Sequence, residues 1–197
     1  MKTTEREPLP RQDLRSATAQ PTRLLTLTGL PGILAGLIGT GGAAGAHAVV
    51  TSEGGEASKI GFIALIGAGA ALLTIGCSAF HSARRLSHWG KTAWSAADRE
   101  VVREMATPLL AGLMFTAVLV MHRMFMAIPG SLLVFYGLSL DAAAKATRPE
   151  VRWLAWIEIA LGMIAFVFTE HALTYWAVGF GISHILYGGL MYFKDEV

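Results

Sequence analysis

Charged residues are scarce in this sequence. Only 15% of its 197 residues are Asp, Glu, Lys or Arg, whereas a soluble domain carries about 25%. Asn is absent, and the single cysteine, Cys77, excludes an internal disulfide and a metal site built from several cysteines. The sequence also lacks an HExxH zinc motif, the GK[ST] ending of a phosphate-binding loop and a Ser-His-Asp arrangement. With a net charge of only +2, it gives no indication of a nucleic-acid surface.

Long apolar stretches take the place of the missing charge. Hydrophobic residues make up 53% of the chain, and a membrane-spanning helix needs roughly 17–25 of them in a row. The pattern predicts an all-α, polytopic membrane helix bundle with about six transmembrane helices. The predicted domains are a disordered cytoplasmic tail, 1–23, and a transmembrane helical domain, 24–194, with a basic cytoplasmic loop at 81–105. The predicted spans are 24–50, 60–80, 106–122, 127–144, 151–169 and 172–193.

The distribution of Lys and Arg predicts the orientation. If the six spans alternate, 14 of these residues fall on one side of the membrane and two, Lys59 and Arg123, on the other. The positive-inside rule places the richer side in the cytoplasm. Both termini are therefore expected inside.

Two stretches leave alternatives open. Basic residues ahead of the first span, with Ala46-His47-Ala48 near its end, also fit a cleaved signal peptide. Residues 106–144 fit either a hairpin or one kinked helix with Arg123 buried, and the cost of a buried Arg favours the hairpin.

A capping-box pattern at Ser95–Asp98 predicts a short interfacial helix, and Thr107-Pro108 then predicts the start of span three. Pro31 would kink the first span or mark its start. Gly32/Gly36 and Gly41/Gly45 have the GxxxG spacing, a weak signal for helix packing in so Gly-rich a segment.

Glu158 is the most informative residue, because an ionisable group inside a predicted span indicates a functional site. Counting from the predicted turn at Glu170-His171, Glu158 and His184 lie at nearly equal depth, and Tyr187 shares the face of His184. We therefore expect an intramembrane polar cluster of Glu158, His184 and Tyr187. Its role is either a structural clamp or a proton-linked function. Asp141 and Arg152 are a secondary candidate, with a solvated helix-end charge as the simpler interpretation of Asp141.

No catalytic residue, metal site or cofactor is predicted. Of the six His, only His184 falls well inside a span, and a bis-His haem needs two at one depth. The aromatic residues near helix ends are interpreted as anchors at the membrane surface; these are Trp153, Trp156, Tyr175, Trp176 and Tyr192.

The C-terminal half carries Phe135-Tyr136-Gly137-Leu138 and the ending WAVGFGISHILYGGLMYFK at 176–194. It resembles a family of small inner-membrane proteins, frequent in Bacteroidetes, that end in WAxGFGxxHxxYGxxMYxK. Relatives tend to read Asn-Ala-Ser-Lys after the FYGL segment, where this chain reads Asp141-Ala142-Ala143-Ala144-Lys145. The resemblance implies a multi-pass protein of the bacterial cytoplasmic membrane and supports Glu158, His184 and Tyr187 as a unit.

The family that this sequence resembles has no assigned activity, so the resemblance implies none for this chain. The leading expectation is a non-enzymatic membrane protein, such as an envelope, stress or assembly factor. The alternatives are a small proton-linked transporter built on Glu158 and His184, and a membrane-anchored enzyme or cofactor subunit. The expected partners are the lipid bilayer and a second copy or another membrane protein.

Overall fold

The computed structural model describes residues 29–53, 55–87, 96–145, 147 and 149–196. Over these residues the chain is helical and contains no strand. The predicted tail at 1–23 lies outside the described residues. The helices are α1 Leu30–Thr51, α2 Glu56–Ser87, α3 Ala96–Met121, α4 Ile128–Ala144, α5 Glu150–Val167, α6 Ala172–Ala177 and α7 His184–Glu196. Short 3-10 turns at Phe125–Ala127 and Thr169–His171 precede α4 and α6, and a π-helical turn, Val178–Ser183, joins α6 to α7.

Helices that follow each other in the chain pack antiparallel. Gly42 of α1 lies beside Ala70 of α2 while Gly45 lies beside Ile66, so the partner number falls as the α1 number rises. The same relation holds between α3 and α4 and between α4 and α5, where Gly112 faces Phe135 and Gly137 faces Ile159. We call residues 172–196, which comprise α6, the π turn and α7, the terminal segment. It runs antiparallel to α5 and also to α1.

This register gives the bundle two distinct ends. The end where α1 and α5 begin and where α4 and α7 finish is here called the basic end. Arg152 and Lys194 lie at this end and pair with Asp141 and Glu150. At the opposite end the turns Phe125–Ala127 and Thr169–His171 contact each other.

Three of the described helices are long and apolar enough to cross a membrane: Leu30–Thr51, Arg99–Met121 and Phe125–Ala144. Large apolar side chains are exposed along them, including Leu37, Leu113 and Leu132. In water such surfaces would be unusual, but lipid tails cover them in a membrane protein.

The hairpin at 106–144 is present, and one long kinked helix is not. Helix α3 ends at Met121, and Arg123 has a positive φ of 57° in the turn that follows. Helix α4 then packs back along α3, where Thr116 Oγ1 lies 3.4 Å from Ser131 Oγ. Arg123 is exposed at the opposite end of the bundle.

The predictions for the segment before this hairpin were wrong. A separate interfacial helix followed by a span starting at Thr107-Pro108 was expected, but α3 is continuous from Ala96 and has Pro108 in its interior. The helical phase of Val101 and Met105 continues into the apolar run, and helix-breaking prolines are tolerated where neighbouring groups satisfy the backbone. The predicted loop 81–105 is also mostly helical where it is described, because α2 extends to Ser87. Ser95 lies outside the described residues.

Helix α1 begins where Pro31 indicates, with that proline in its first turn. Its glycine face meets the terminal segment closely. A Cβ on Gly36 would lie 2.6 Å from Gly181 O, and one on Gly188 would lie 2.5 Å from Ile33 N. Gly32 belongs to this contact, whereas Gly41 has no neighbour within 4 Å. Only the first of the two GxxxG pairs therefore marks a tight helix interface.

Candidate functional site

The middle of the bundle contains a layer of polar side chains from three helices. Helix α4 contributes Tyr136, α5 contributes Glu158, and the terminal segment contributes His184 at the start of α7. Glu158 is fully buried and His184 is 2% exposed. We call these three residues the Glu158 centre.

Glu158 and His184 are direct neighbours, as their equal distances from the turn at Glu170-His171 predict. Glu158 Oε1 lies 3.4 Å from His184 Nδ1. This is within ion-pair distance but too long for a good hydrogen bond, and neither Glu158 oxygen has a hydrogen-bond partner in the described part of the chain. A buried carboxyl group without such a partner is unusual in a folded protein.

Both ring nitrogens of His184 are occupied by protein groups. Nδ1 lies 3.0 Å from the carbonyl oxygen of Gly179, and Nε2 lies 2.9 Å from the hydroxyl of Tyr136. A carbonyl oxygen can only accept, so Nδ1 carries a hydrogen and donates it. In the neutral ring Nε2 then accepts from Tyr136. His184 is thus fixed in orientation by two hydrogen bonds while it faces the Glu158 carboxyl group.

The π-helical turn positions His184 in this layer. Over Val178–Ser183 the backbone is wound more widely than in an α-helix, and the Ser183 hydroxyl donates to Val178 O at 3.1 Å. The His184 bond to Gly179 O likewise reaches five residues back along the chain. Turns of this kind are often found at functional sites. Two glycines lie in this turn, and a Cβ on either would meet another helix, at Glu158 for Gly179 and at Thr40 for Gly181.

Gly179 has a second role beside the carboxyl group. A Cβ at this position would lie 2.5 Å from Glu158 Oε2 and 2.5 Å from Leu133 Cδ2. No side chain fits there without displacing one of them. Glycine at 179 therefore lets the terminal segment approach Glu158 closely enough for His184 to reach it.

An aromatic column extends from the centre toward the opposite end of the bundle. Phe180 stacks on the His184 ring at a centroid distance of 5.9 Å and lies 4.8 Å from the Tyr136 ring. Trp176 follows, 5.1 Å from Phe180. Its indole nitrogen is buried, so the interpretation of Trp176 as a surface anchor was wrong. Trp153 and Trp156 are exposed, as that interpretation requires.

Tyr187 lies one helical turn beyond His184, toward the basic end. It is 7% exposed and packs in an apolar cluster with Leu140, Val151, Leu154 and Met191. The predicted hydrogen-bonded cluster of Glu158, His184 and Tyr187 is therefore altered in one respect: the hydroxyl that bonds the His184 ring belongs to Tyr136.

The secondary candidates Asp141 and Arg152 do form a pair, with Arg152 Nε 3.4 Å from Asp141 Oδ1. Their side chains are 39% and 55% exposed, so the pair lies at the surface of the basic end and outside the buried layer. Lys194 and Glu150 form a second ion pair at this end and tie α7 to the start of α5. Both pairs close the bundle next to the site without entering it.

Tyr136 was missed by sequence reasoning, although a signal for it existed. It lies eight residues after Ile128, where α4 begins, and Glu158 lies nine residues before Val167, where α5 ends. The same counting from a turn that paired Glu158 with His184 would have placed Tyr136 at their depth.

The described residues contain no group of three or more His, Cys, Asp or Glu that could hold a metal ion. A haem would need a free ring nitrogen on His184, and both nitrogens are engaged. Comparison of the chain with known protein families, with curated proteins and with solved structures finds no match in any of the three. The family resemblance of the C-terminal half therefore stays a prediction.

Proposed function

We propose that this chain is a six-span, non-enzymatic protein of the bacterial cytoplasmic membrane, with both termini inside, and that it binds and releases a proton at Glu158. The proton-linked role is supported by one observation above all. A fully buried carboxyl group lies 3.4 Å from an imidazole nitrogen, and neither of its oxygens has a hydrogen-bond partner in the described chain.

Six spans are supported by the helices beyond the three that contain an apolar segment of membrane-spanning length. Helix α5 has 18 residues, and its charges are Glu150 and Arg152 in the first turn and the buried Glu158. Helix α2 contains the apolar stretch Ser58–Ala71. The terminal segment continues from Ala172 to Glu196 with the π turn inside it. The antiparallel order of the described helices is compatible with Arg99, Arg103, Lys145, Arg152 and Lys194 lying together at the basic end, and by the positive-inside rule we assign this end to the cytoplasm.

A purely structural clamp is the competing explanation, and one observation favours it: the Tyr136–His184 bond ties α4 to the terminal segment. However, a clamp stabilises a fold when its buried polar groups are satisfied, and a half-satisfied polar network is worse than an apolar core. Glu158 is the unsatisfied member. A carboxyl group whose oxygens lack hydrogen bonds in the described chain adds little to a clamp, so its presence argues for a role that needs a titratable proton.

A proton fits the site better than a larger solute does. The void one helical turn from the centre, among the described residues Met105, Leu140, Ala143, Thr147, Val151, Leu154 and Tyr187, has a volume of only about 10 Å³. A ligand-sized pocket has roughly 300–1,000 Å³. The aromatic column fills the other side of the centre. Transport of a second solute therefore forms no part of the proposal.

Infrared titration of the protein in lipid tests the proposal. The C=O stretch of a protonated carboxylic acid should appear and disappear with pH in the wild type and be missing in Glu158→Gln. The matched control is Glu170→Gln, which changes an exposed carboxylate at the opposite end and should keep the band. A wild-type spectrum without a band that titrates and depends on Glu158 would contradict a proton-binding function.

A further inference from the structure

Two acceptors compete for one hydrogen in the Glu158 centre. His184 Nδ1 lies 3.0 Å from Gly179 O, to which it donates, and 3.4 Å from Glu158 Oε1. The other ring nitrogen already faces the Tyr136 hydroxyl. Nδ1 carries a single hydrogen, so a good hydrogen bond to one of the two oxygens excludes a good hydrogen bond to the other.

The charge of Glu158 decides between the two acceptors. While Glu158 keeps its proton, both oxygens are neutral and Nδ1 donates to the nearer one, Gly179 O. Once the proton has left, the carboxylate is the stronger acceptor, because hydrogen bonds to an ionised group are roughly twice as strong as neutral ones. The carboxylate also needs the bond. Neither of its oxygens has a hydrogen-bond partner in the described part of the chain, and a buried charge without one is heavily penalised.

A small turn of the imidazole ring is enough to exchange the acceptors. Bringing Nδ1 from 3.4 Å to the usual hydrogen-bond distance from Glu158 Oε1 takes about 0.5 Å. The Phe180 ring lies on the His184 ring with 17° between their planes, so the imidazole can turn within its own plane and keep this contact. The Tyr136 hydroxyl bonds the other nitrogen and follows by rotating about its C–O bond.

The backbone beside the ring is closely packed. A Cβ on Gly179 would lie 2.5 Å from Glu158 Oε2, and a Cβ on Gly39 of α1 would collide with Phe180 O. The π turn is therefore fixed between α5 and α1. When the imidazole turns toward Glu158, Gly179 O stays in place and loses its hydrogen bond to Nδ1.

We propose that the Nδ1–H group of His184 is a proton-responsive switch, which bonds Gly179 O when Glu158 is protonated and Glu158 Oε1 when Glu158 is charged. The inference rests on the proposed function. The N–H bond of His184 stays intact throughout, and the proton from the Glu158 O–H bond goes to bulk water and returns from it. The π turn thus loses a hydrogen bond each time Glu158 releases its proton. The ionisable groups around the switch are Tyr136 of α4 and Tyr187 of the terminal segment, the surface groups Asp141, Glu150, Arg152 and Lys194 at the basic end, and the exposed His47 near the far end of α1.

Dipolar-coupling NMR of the protein in lipid tests the switch by measuring two distances from His184 Nδ1. One distance ends at the carbonyl carbon of Gly179 and the other at the carboxyl carbon of Glu158, with nitrogen-15 at histidine Nδ1 and carbon-13 at glycine carbonyl or glutamate carboxyl groups. His184→Gln supplies the background from the other five histidines. When the pH is raised until the Glu158 carboxylic band has disappeared, we expect the distance to Gly179 to lengthen and the distance to Glu158 to shorten, each by about 0.5 Å.

Two variants establish whether the charge of Glu158 is the cause. Glu158→Gln stays neutral, so both distances should keep their low-pH values at every pH. Glu170→Gln changes an exposed carboxylate at the opposite end and should behave as the wild type does. Distances that also exchange in Glu158→Gln would overturn the switch. Unchanged distances in a wild-type protein whose Glu158 band titrates would overturn the switch but leave the proton-binding function intact. A band that does not titrate at all would overturn both.

Discussion

Glu158 Oε1 and His184 Nδ1 lie 3.4 Å apart in the middle of the bundle, although Nδ1 donates its hydrogen bond to Gly179 O. The carboxyl group is thus held beside a nitrogen that is already committed. An isolated charge is expensive in the middle of a membrane bundle, so we expect the protonation of either group to depend on the other.

The first prediction is that Glu158 and His184 are energetically coupled. Glu158→Leu and His184→Leu should each lower the thermal stability in detergent, and the double variant should lose less than the sum of the two. The coupling should be about 0.6–1.7 kcal/mol, the range for hydrogen-bonded pairs between membrane helices. Glu158→Gln keeps the shape of the side chain and should leave stability nearly unchanged. Strict additivity of the two Leu variants would show that the side chains do not interact.

Gly179→Ala should destabilise the protein by about 1–3 kcal/mol, as overpacking of a filled core does. The added methyl group meets Glu158 Oε2 and Leu133 Cδ2, each at 2.5 Å. The control is Gly189→Ala in α7, where a Cβ has no neighbour within 4 Å and alanine favours the helix by up to about 1 kcal/mol. Thermal unfolding in one detergent compares the two, and equal stability of the two variants would refute the close contact at Gly179.

Tyr136→Phe removes the hydroxyl that donates to His184 Nε2. We expect a loss of about 0.6 kcal/mol, the average for an interhelical hydrogen bond in a membrane, and a weaker coupling between Glu158 and His184 in the double-mutant cycle. Tyr192→Phe should change neither quantity. If Tyr136→Phe leaves the coupling at its wild-type value, the ring orientation of His184 does not depend on Tyr136.

Reporter fusions test the six-span arrangement. Fusions after Ser52 and Met124 should report the outside, and fusions after Lys145 and at the C-terminus should report the cytoplasm. A cytoplasmic signal at Met124 would be incompatible with α3 and α4 each crossing the membrane.

Helix α1 should remain part of the mature protein. Cleavage after Ala48 would remove nearly all of the helix that covers Gly181 and Gly188 of the terminal segment. The mass of the purified protein should therefore include residues 30–51. A chain that begins at Val49 would identify this segment as a signal peptide.

Counting residues from turns predicted the centre in part. Because antiparallel helices share a rise of 1.5 Å per residue, equal distances from the Glu170-His171 turn place Glu158 beside His184. The same method applied to the turn before Pro129 would have added Tyr136. The π turn was not predictable in this way, since its extra residue shows only as the Gly179-Phe180-Gly181 pattern.

The errors come from local sequence signals that the rest of the chain overrides. Local preference led us to interpret Pro108 as a helix start and the charged residues at 81–105 as a loop. In the structure α2 continues to Ser87, and α3 begins at Ala96 and contains Pro108. Trp176 was assigned to the membrane surface because it lies near a helix end, whereas packing against Phe180 buries its indole nitrogen. In α3 the helical phase continues across Pro108, and at Trp176 tertiary packing outweighed the local signal.

Nitrogen-15 NMR of the His184 ring across pH measures whether Glu158 and His184 bind a proton as one unit. The two ring nitrogens report whether Nδ1 carries its hydrogen and whether Nε2 accepts one, and His184→Gln identifies their signals. We expect these signals to change with the same midpoint as the Glu158 carboxylic band, and we expect Glu158→Gln to abolish this change. Ring signals that ignore the Glu158 titration, or that are unaltered in Glu158→Gln, would contradict a shared proton-binding unit.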